Sequence, residues 1–269
     1  MPTQITKLNN MYFIVDCFHH RILYNDNLTD DIVEWTTIDY EFAGCHSIAS
    51  DGNIFVVDNT GRNEVLVFDS TFKRVQTIPN VGHRPHKVIF KNNRFYVLSS
   101  GTQTVYCYKV VDNRLVLEFS RRMDFMGYAY CRSVKIIDGH MYFATDTPNV
   151  IYKVNYLDDS FNLVESYQLP SNITFLVDVD YYNGHFYVTN YTDINKSTDL
   201  VNFTSVYTEL DLQDIPYFTS VIDGKLFFTE VGEIRNAIHS VDYIGTHTVY
   251  YSFDGLDISS ERRREMYPR

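Results

Sequence analysis

The chain has 269 residues, with 34 acidic against 23 basic side chains and a formal net charge of −11. That balance argues against a nucleic-acid or anionic-membrane partner, whose contact surface is basic, and no stretch approaches the roughly 18 apolar residues of a membrane span. Residues 1–7 (Met-Pro-Thr-Gln-Ile-Thr-Lys) lead into no apolar core, so no secretory signal is expected and the chain reads as cytoplasmic.

In chain order, the first element is a hairpin around Asn9-Asn10, with Phe13 and Asp16 three and six residues beyond the second turn residue. The same phrase returns at Asp51-Gly52 with Phe55 and Asp58, at Asn92-Asn93 with Tyr96 and Ser99, and at Asp138-Gly139 with Tyr142 and Thr145. It closes at Asn183-Gly184 with Tyr187 and Asn190, and at Asp223-Gly224 with Phe227 and Glu230. Successive turns lie 42, 41, 46, 45 and 40 residues apart. Asn, Asp and Gly supply the positive φ values that a two-residue type I′ turn needs. β-branched and aromatic runs flank the turns (54–57, 95–98), and third (65–68, 150–153) and fourth (75–78, 163–166) strands follow.

Four short strands per repeat, six times over, predict an all-β, six-bladed β-propeller with four-stranded antiparallel blades. Blade boundaries fall near residues 45, 85, 131, 175 and 216, and 192–202 reads as an enlarged loop. Residues 1–258 form one domain and 259–269 a basic tail. Aromatics make up 16% of the chain. The repeated ones are expected to fill the space between blades. Cys17, Cys45, Cys107 and Cys131 lack any Cys-x-x-Cys spacing and read as free buried thiols. A nucleophilic role for Cys45 or Cys131 is the minor alternative.

Residues 46–69 (His-Ser-Ile-Ala-Ser-Asp-Gly-Asn-Ile-Phe-Val-Val-Asp-Asn-Thr-Gly-Arg-Asn-Glu-Val-Leu-Val-Phe-Asp) closely resemble an NHL repeat. The third repeat, opening Arg84-Pro85-His86-Lys87-Val88-Ile89, begins as many such repeats do, whereas the fifth and sixth keep only the turn and the aromatic. The resemblance implies the six-bladed fold. Propellers of this kind include protein- and RNA-binding modules, lactonases, strictosidine-synthase-like proteins and the peptidylglycine amidating lyase. The amidating lyase is similar in using inner-strand histidines for zinc, with arginine and tyrosine nearby. Here His46 and His86 match in position and a third histidine is missing. Lactonase-like propellers hold a divalent cation with Glu, Asn and Asp. The implied cofactor is a divalent metal, zinc or calcium, with His46 and His86 as its ligands.

Propeller topology turns the repeat into a place. The inner strand starts, and the second strand ends, at the same end of each sheet. Residues opening the inner strands are Thr3, His46, His86, Arg132, Val177 with Asp178, and Tyr217. The candidate catalytic set is His46, His86, Arg132 and Tyr217, and the candidate ligand-binding set is Asp16, Asp58, Asp178, Asn190 and Glu230. Histidine serves as proton carrier or metal ligand near neutral pH, and arginine fixes carboxylates or phosphates in bidentate fashion. For Asp58 the favoured alternative is a structural cap on the adjoining turn.

Two functional readings follow. The first is a propeller binding a small polar or anionic ligand at the channel mouth, as a lyase or hydrolase using a divalent metal. The second is a non-catalytic scaffold for a protein or a glycan, since one fold hosts both.

Overall fold

The computed structural model describes residues 1–254. The expected boundary at 258 and the basic tail 259–269 lie outside the described residues. Six four-stranded antiparallel sheets follow one another along the chain, which is the architecture of a six-bladed β-propeller. They fall into two compact units, residues 1–122 and 123–254, with three sheets in each. Among the described residues no helix is long and apolar enough to cross a membrane.

The first unit contains β1 (Pro2–Leu8), β2 (Met11–Asp16), β3 (Arg21–Asn25) and β4 (Thr36–Thr37) as blade one. Blade two is β5 (Ile48–Ser50), β6 (Phe55–Asn59), β7 (Glu64–Phe68) and β8 (Arg74–Ile78). Blade three is β9 (Pro85–Lys91), β10 (Arg94–Ser99), β11 (Thr104–Val111) and β12 (Arg114–Arg122). The second unit begins with blade four, β13 (Tyr130–Ile137), β14 (His140–Asp146), β15 (Val150–Asn155) and β16 (Asn162–Gln168). Blade five is β17 (Leu176–Tyr182), β18 (His185–Asn190), β19 (Ile194–Ser197) and β20 (Thr204–Ser205). Blade six is β21 (Ile215–Ile222), β22 (Lys225–Val231), β23 (Arg235–Val241) and β24 (His247–Asp254).

Every described sheet is built from consecutive strands, so among the described residues no blade borrows a strand from elsewhere in the chain. The segment 192–202, expected as a loop, supplies β19 instead. A longer connection, 206–214, follows between β20 and β21.

Five of the six turns have positive φ at both central residues, as type I′ geometry requires: Asn9-Asn10, Asn92-Asn93, Asp138-Gly139, Asn183-Gly184 and Asp223-Gly224. The exception is Asp51-Gly52. Ser50 pairs with Phe55, leaving a four-residue loop in which Asp51 Oδ1 accepts from the Asn53 and Ile54 amides. The extra length moves blade two out of phase by one residue. Phe13, Tyr96, Tyr142, Tyr187 and Phe227 share one register position, whose counterpart in blade two is Val56.

All six aromatics are buried nonetheless. Phe13 and Phe55 meet between blades one and two with ring centroids 5.3 Å apart. Tyr142 meets Phe186 between blades four and five at 5.7 Å. Val56 instead joins Val88, Phe95 and Val97 in the core between blades two and three.

A polar clasp repeats beside this packing. Gln4 Oε1 accepts from the Ile48 amide at 2.9 Å, Ser47 Oγ from the Val88 amide at 2.8 Å, and Asp178 Oδ2 from the Thr219 amide at 2.8 Å. In each case an inner-strand side chain satisfies the backbone of the next blade, where an orphaned buried N–H would be costly.

Candidate functional site

The residues picked from the inner-strand openings share a local cause. In blades one, three, four and five the ladder between inner and second strand skips one residue: Thr3, His86, Arg132 and Val177. Tyr217 and Phe218 lie in the corresponding break between Pro216 and Thr219. A β-bulge leaves its extra residue unpaired and re-aims its side chain. The partner before each bulge faces the polar end of the second strand: Pro2 opposite Asp16, Cys131 opposite Thr145, Leu176 opposite Asn190, Pro216 opposite Glu230.

In the first unit the histidines form a buried stack that is tied to its surroundings through His46. His46 and His86 stack with centroids 3.8 Å apart and planes at 29°, and both are buried, at 4% and 3% exposure. His46 Nδ1 lies 3.1 Å from Thr60 Oγ1. Thr60 gives its one hydroxyl proton to Asp58 Oδ2 (2.8 Å) or to the Pro85 carbonyl (2.6 Å). Thr60 therefore accepts from His46 Nδ1–H, which makes Nε2 the basic nitrogen, 3.7 Å from Cys17 Sγ.

Asp58 accepts from the His46 and Ser47 amides and from the Ser47 and Thr60 hydroxyls. These are the bonds of the structural cap. Burial outweighs them and pushes its carboxyl up to about 6. Asp16 is likewise engaged, with the Met1 ammonium at 2.6 Å, His19 at 2.8 Å and Arg21 at 2.8 Å.

Rings stacked face to face hold their in-plane lone pairs side by side and do not aim them at one ion. Among the described residues no group of three or more His, Cys, Asp or Glu is placed to hold a metal. Cys17, Cys45, Cys107 and Cys131 are free and buried. Burial raises the Cys45 and Cys131 thiols, against a nucleophilic thiolate.

In the second unit the arginine sits in a half-open cradle. Arg132 Nη1 donates to Asp146 Oδ2 at 2.9 Å and to the Leu176 carbonyl at 3.2 Å, and Nη2 donates to the Tyr191 hydroxyl at 3.2 Å. Its Cζ lies 4.8 Å from the Tyr130 ring centre and 5.1 Å from that of Tyr191. Burial works against the guanidinium charge, but Tyr191, Tyr217, Asp146 and Tyr130 outweigh it and raise its affinity for the proton. The Arg132 side chain is 13% exposed. Beyond it, Tyr191 stacks on Phe175 at 5.6 Å.

Asn190 stands opposite Leu176, the residue whose carbonyl takes Arg132. Its Oδ1 accepts from the Thr192 amide and hydroxyl, which fixes the orientation of the side-chain amide. Asn190 is fully buried, and its Nδ2 has no hydrogen-bond partner among the described residues. Tyr217 is close enough to act electrostatically on Arg132, and Asn190 is linked to it through Leu176. Asp146, Tyr130, Tyr191 and Phe175 were not picked out. Asp146 lies one residue past the polar position Thr145, and no repeat marks it.

The remaining predicted acids serve internal networks. Asp178 accepts from Ser133 Oγ, from the Val179 and Thr219 amides and from Thr219 Oγ1, with Lys135 Nζ at 3.3 Å. Glu230 accepts from the Gln213 and Asp214 amides, from Arg235 Nε at 2.6 Å and from His239 Nε2 at 3.0 Å. Burial opposes its charge, but His239, Arg235 and the two amides outweigh it and bring the carboxyl down to about 2.

Sequence reasoning passed over His239 and His247. Their rings lie within 4° of parallel, with Nδ1 to Nε2 at 2.9 Å and centroids 5.2 Å apart. That is the spacing of two imidazoles joined edge to edge in one plane. Glu230, His239 and His247 come from β22, β23 and β24, so only the pairing of these strands brings the acid and the imidazoles together.

No protein-family model and no curated protein matches the chain. Solved structures resemble it throughout. A catalytically inactive histidine-to-alanine variant of virginiamycin B lyase from Staphylococcus aureus, bound to quinupristin, matches 93% of this chain and 83% of its own with TM-score 0.66 and 15% identity. A Lactobacillus plantarum protein matches over 95% and 85%, with TM-score 0.64 and 14% identity. Kuenenia stuttgartiensis hydrazine synthase matches over 88% and 76%, with TM-score 0.64 and 18% identity. At such identities the likeness carries the propeller fold, with lyases among the structural neighbours.

Proposed function

We propose that the protein binds a small, acceptor-bearing ligand at the Arg132 cradle and acts on it as a lyase. The observation that carries the reading is the buried Asn190 Nδ2, without a hydrogen-bond partner among the described residues, opposite the Leu176 whose carbonyl takes the Arg132 guanidinium. A buried donor without a partner is rare and marks a place for a water or a ligand group. In an elimination, proton loss beside a carbonyl builds charge on its oxygen. Arg132 and Asn190 are donors suited to that oxygen, and Tyr217 or Tyr191, held near the guanidinium, would take the proton as its phenolate while the bond to the leaving group on the next carbon breaks and that group departs with the electron pair.

Incubation with quinupristin, the ligand bound in a neighbouring structure, and with a panel of carbonyl esters and amides tests this by mass spectrometry. Elimination keeps the summed mass, whereas hydrolysis adds a water. Turnover without added water, sharply reduced by Tyr217→Phe and Arg132→Lys, is expected. Hydrolysis products, or turnover indifferent to both variants, would contradict it. The scaffold reading draws on exposed Tyr128, Tyr243 and Ile244. Protein or glycan capture with no turnover of any panel compound would favour it.

A further inference from the structure

Building on the Arg132 reading, we propose that the Phe175 end of the cradle is a subsite for a flat aromatic ring carried on an uncharged ligand. Four planar groups follow one another there: Tyr130, the Arg132 guanidinium, Tyr191 and Phe175. They come from β13, from just past β18 and from just before β17, so three separate chain segments build one stack.

The stack is unfinished at one end. Phe175 is 50% exposed and Tyr191 38% exposed. The planes of these two rings differ by only 25°, so Phe175 continues the stack and ends it at solvent. The fold gains little from that ring. Its neighbours Ile173 and Leu176 are buried in the core between blades four and five, and Phe175 is not. Phe175 also holds φ of 57°, a left-handed conformation that a bulky residue adopts at a cost. A strained, half-exposed phenylalanine that extends an ordered stack is accounted for by a further ring laid upon it.

Charge and hydrogen bonding narrow the class. Asp146 balances Arg132, and the chain as a whole carries −11, so the cradle does not favour an anion. This replaces the anionic ligand expected from Arg132 alone. A sugar ring would need a fan of polar partners around the plate. The neighbouring Thr192 hydroxyl is held by Asn190, and Asp146 is held by Arg132 and Thr147. What remains on offer is an apolar plate with the Asn190 amide nearby. That combination fits an aryl group attached to a carbonyl or amide.

The test is an NMR titration of the full chain, reading the Phe175 and Tyr191 rings and the Asn190 side-chain amide. The probes are N-acetyltryptophanamide, methyl β-glucopyranoside, indole-3-acetate and N-methylacetamide. N-Acetyltryptophanamide is expected to shift all three residues and to bind at least about fivefold more tightly than indole-3-acetate. Phe175→Leu should weaken it by a similar factor while leaving the rest of the spectrum in place. Tighter binding of the glucoside, or equal binding by Phe175→Leu, overturns the aromatic subsite. If N-methylacetamide moves Asn190 but N-acetyltryptophanamide binds no better, the subsite falls and the Arg132 reading stands. If no probe moves Asn190, both fall.

Discussion

Asp58 and Glu230 both sit near the end of a second strand, fully buried, each taking four hydrogen bonds, yet their charges are held in opposite ways. Asp58 is surrounded by uncharged donors, two amides and two hydroxyls, so burial prevails and raises its carboxyl. Glu230 has Arg235 and His239 among its donors, and they overcome burial. The contrast extends to the two strand-opening clusters. Around His46 the bonds of Asp58, Thr60 and Ser47 run to one another and to the backbone of blade three, so that end of the first unit is a joint between blades two and three. Around Arg132 a buried donor lacks a partner and two aromatic rings stand half in solvent. The His46–His86 stack is sealed from solvent, whereas the stack at Arg132 ends in exposed rings.

The contrast breaks first, if it breaks, at Asp58. Asp58→Ala leaves the buried His46 and Ser47 amides without acceptors, and chemical denaturation should show a loss of about 3 to 5 kcal/mol, at roughly 1 to 3 per orphaned group. A loss below about 1 kcal/mol would mean the first unit's cluster is not a joint. Arg132→Ala comes next. It strips Asp146, itself little exposed, of its partner, so stability should fall by about 2 to 3 kcal/mol, somewhat less than for a fully buried pair. Arg132→Ala combined with Asp146→Asn should recover part of that loss. No recovery would place the cost elsewhere.

Stability against pH sharpens the comparison further. Glu230 is depressed from 4.5 to about 2, so its contribution is present above 4.5 and lost as pH falls toward 2. Asp58 is raised from 3.8 to about 6, so its contribution is present below 3.8 and lost as pH rises through 6. Asp58→Asn and Glu230→Gln should therefore alter the pH–stability curve with opposite slopes.

His247 adds a smaller term. Burial, His239 and Arg235 lower its pKa from 6.5, against the opposing pull of Asp211 and Glu230. The unfolded chain then binds the extra proton first, and stability declines as pH drops below 6.5. His247→Gln should flatten that decline. An unchanged slope would remove the His239–His247 pair from the account. The smallest effect belongs to Phe175→Ala, within about 0.5 kcal/mol by denaturation, as for an exposed position with no core contact. A loss above about 2 kcal/mol would make Phe175 a core residue after all.

Much of this architecture was legible because a propeller repeats its sequence along with its backbone. Asn-Asn, Asp-Gly and Asn-Gly turns announce their φ values, and the strand-opening residues other than His46 lie at bulge positions. Blade two shows the limit. Its Asp51-Gly52-Asn53 run carries the strongest family resemblance, yet it forms a longer loop and shifts Phe55 and Asp58 by one position. The Asp146 partner of Arg132, the Tyr191 and Phe175 plates, and the Glu230–His239–His247 chain were hidden for another reason. Each depends on which blade faces which, and a local pattern does not encode that.

The central claim is that the Arg132 cradle, and not the His46–His86 pair, receives the ligand. Its most direct test is a fragment screen of the full chain by NMR, with the side chains of Asn190, Tyr191, His46 and His86 assigned. The account predicts that hits shift Asn190 and Tyr191 while both histidines stay silent. Hits that shift His46 and His86 and leave Asn190 and Tyr191 unmoved would contradict it.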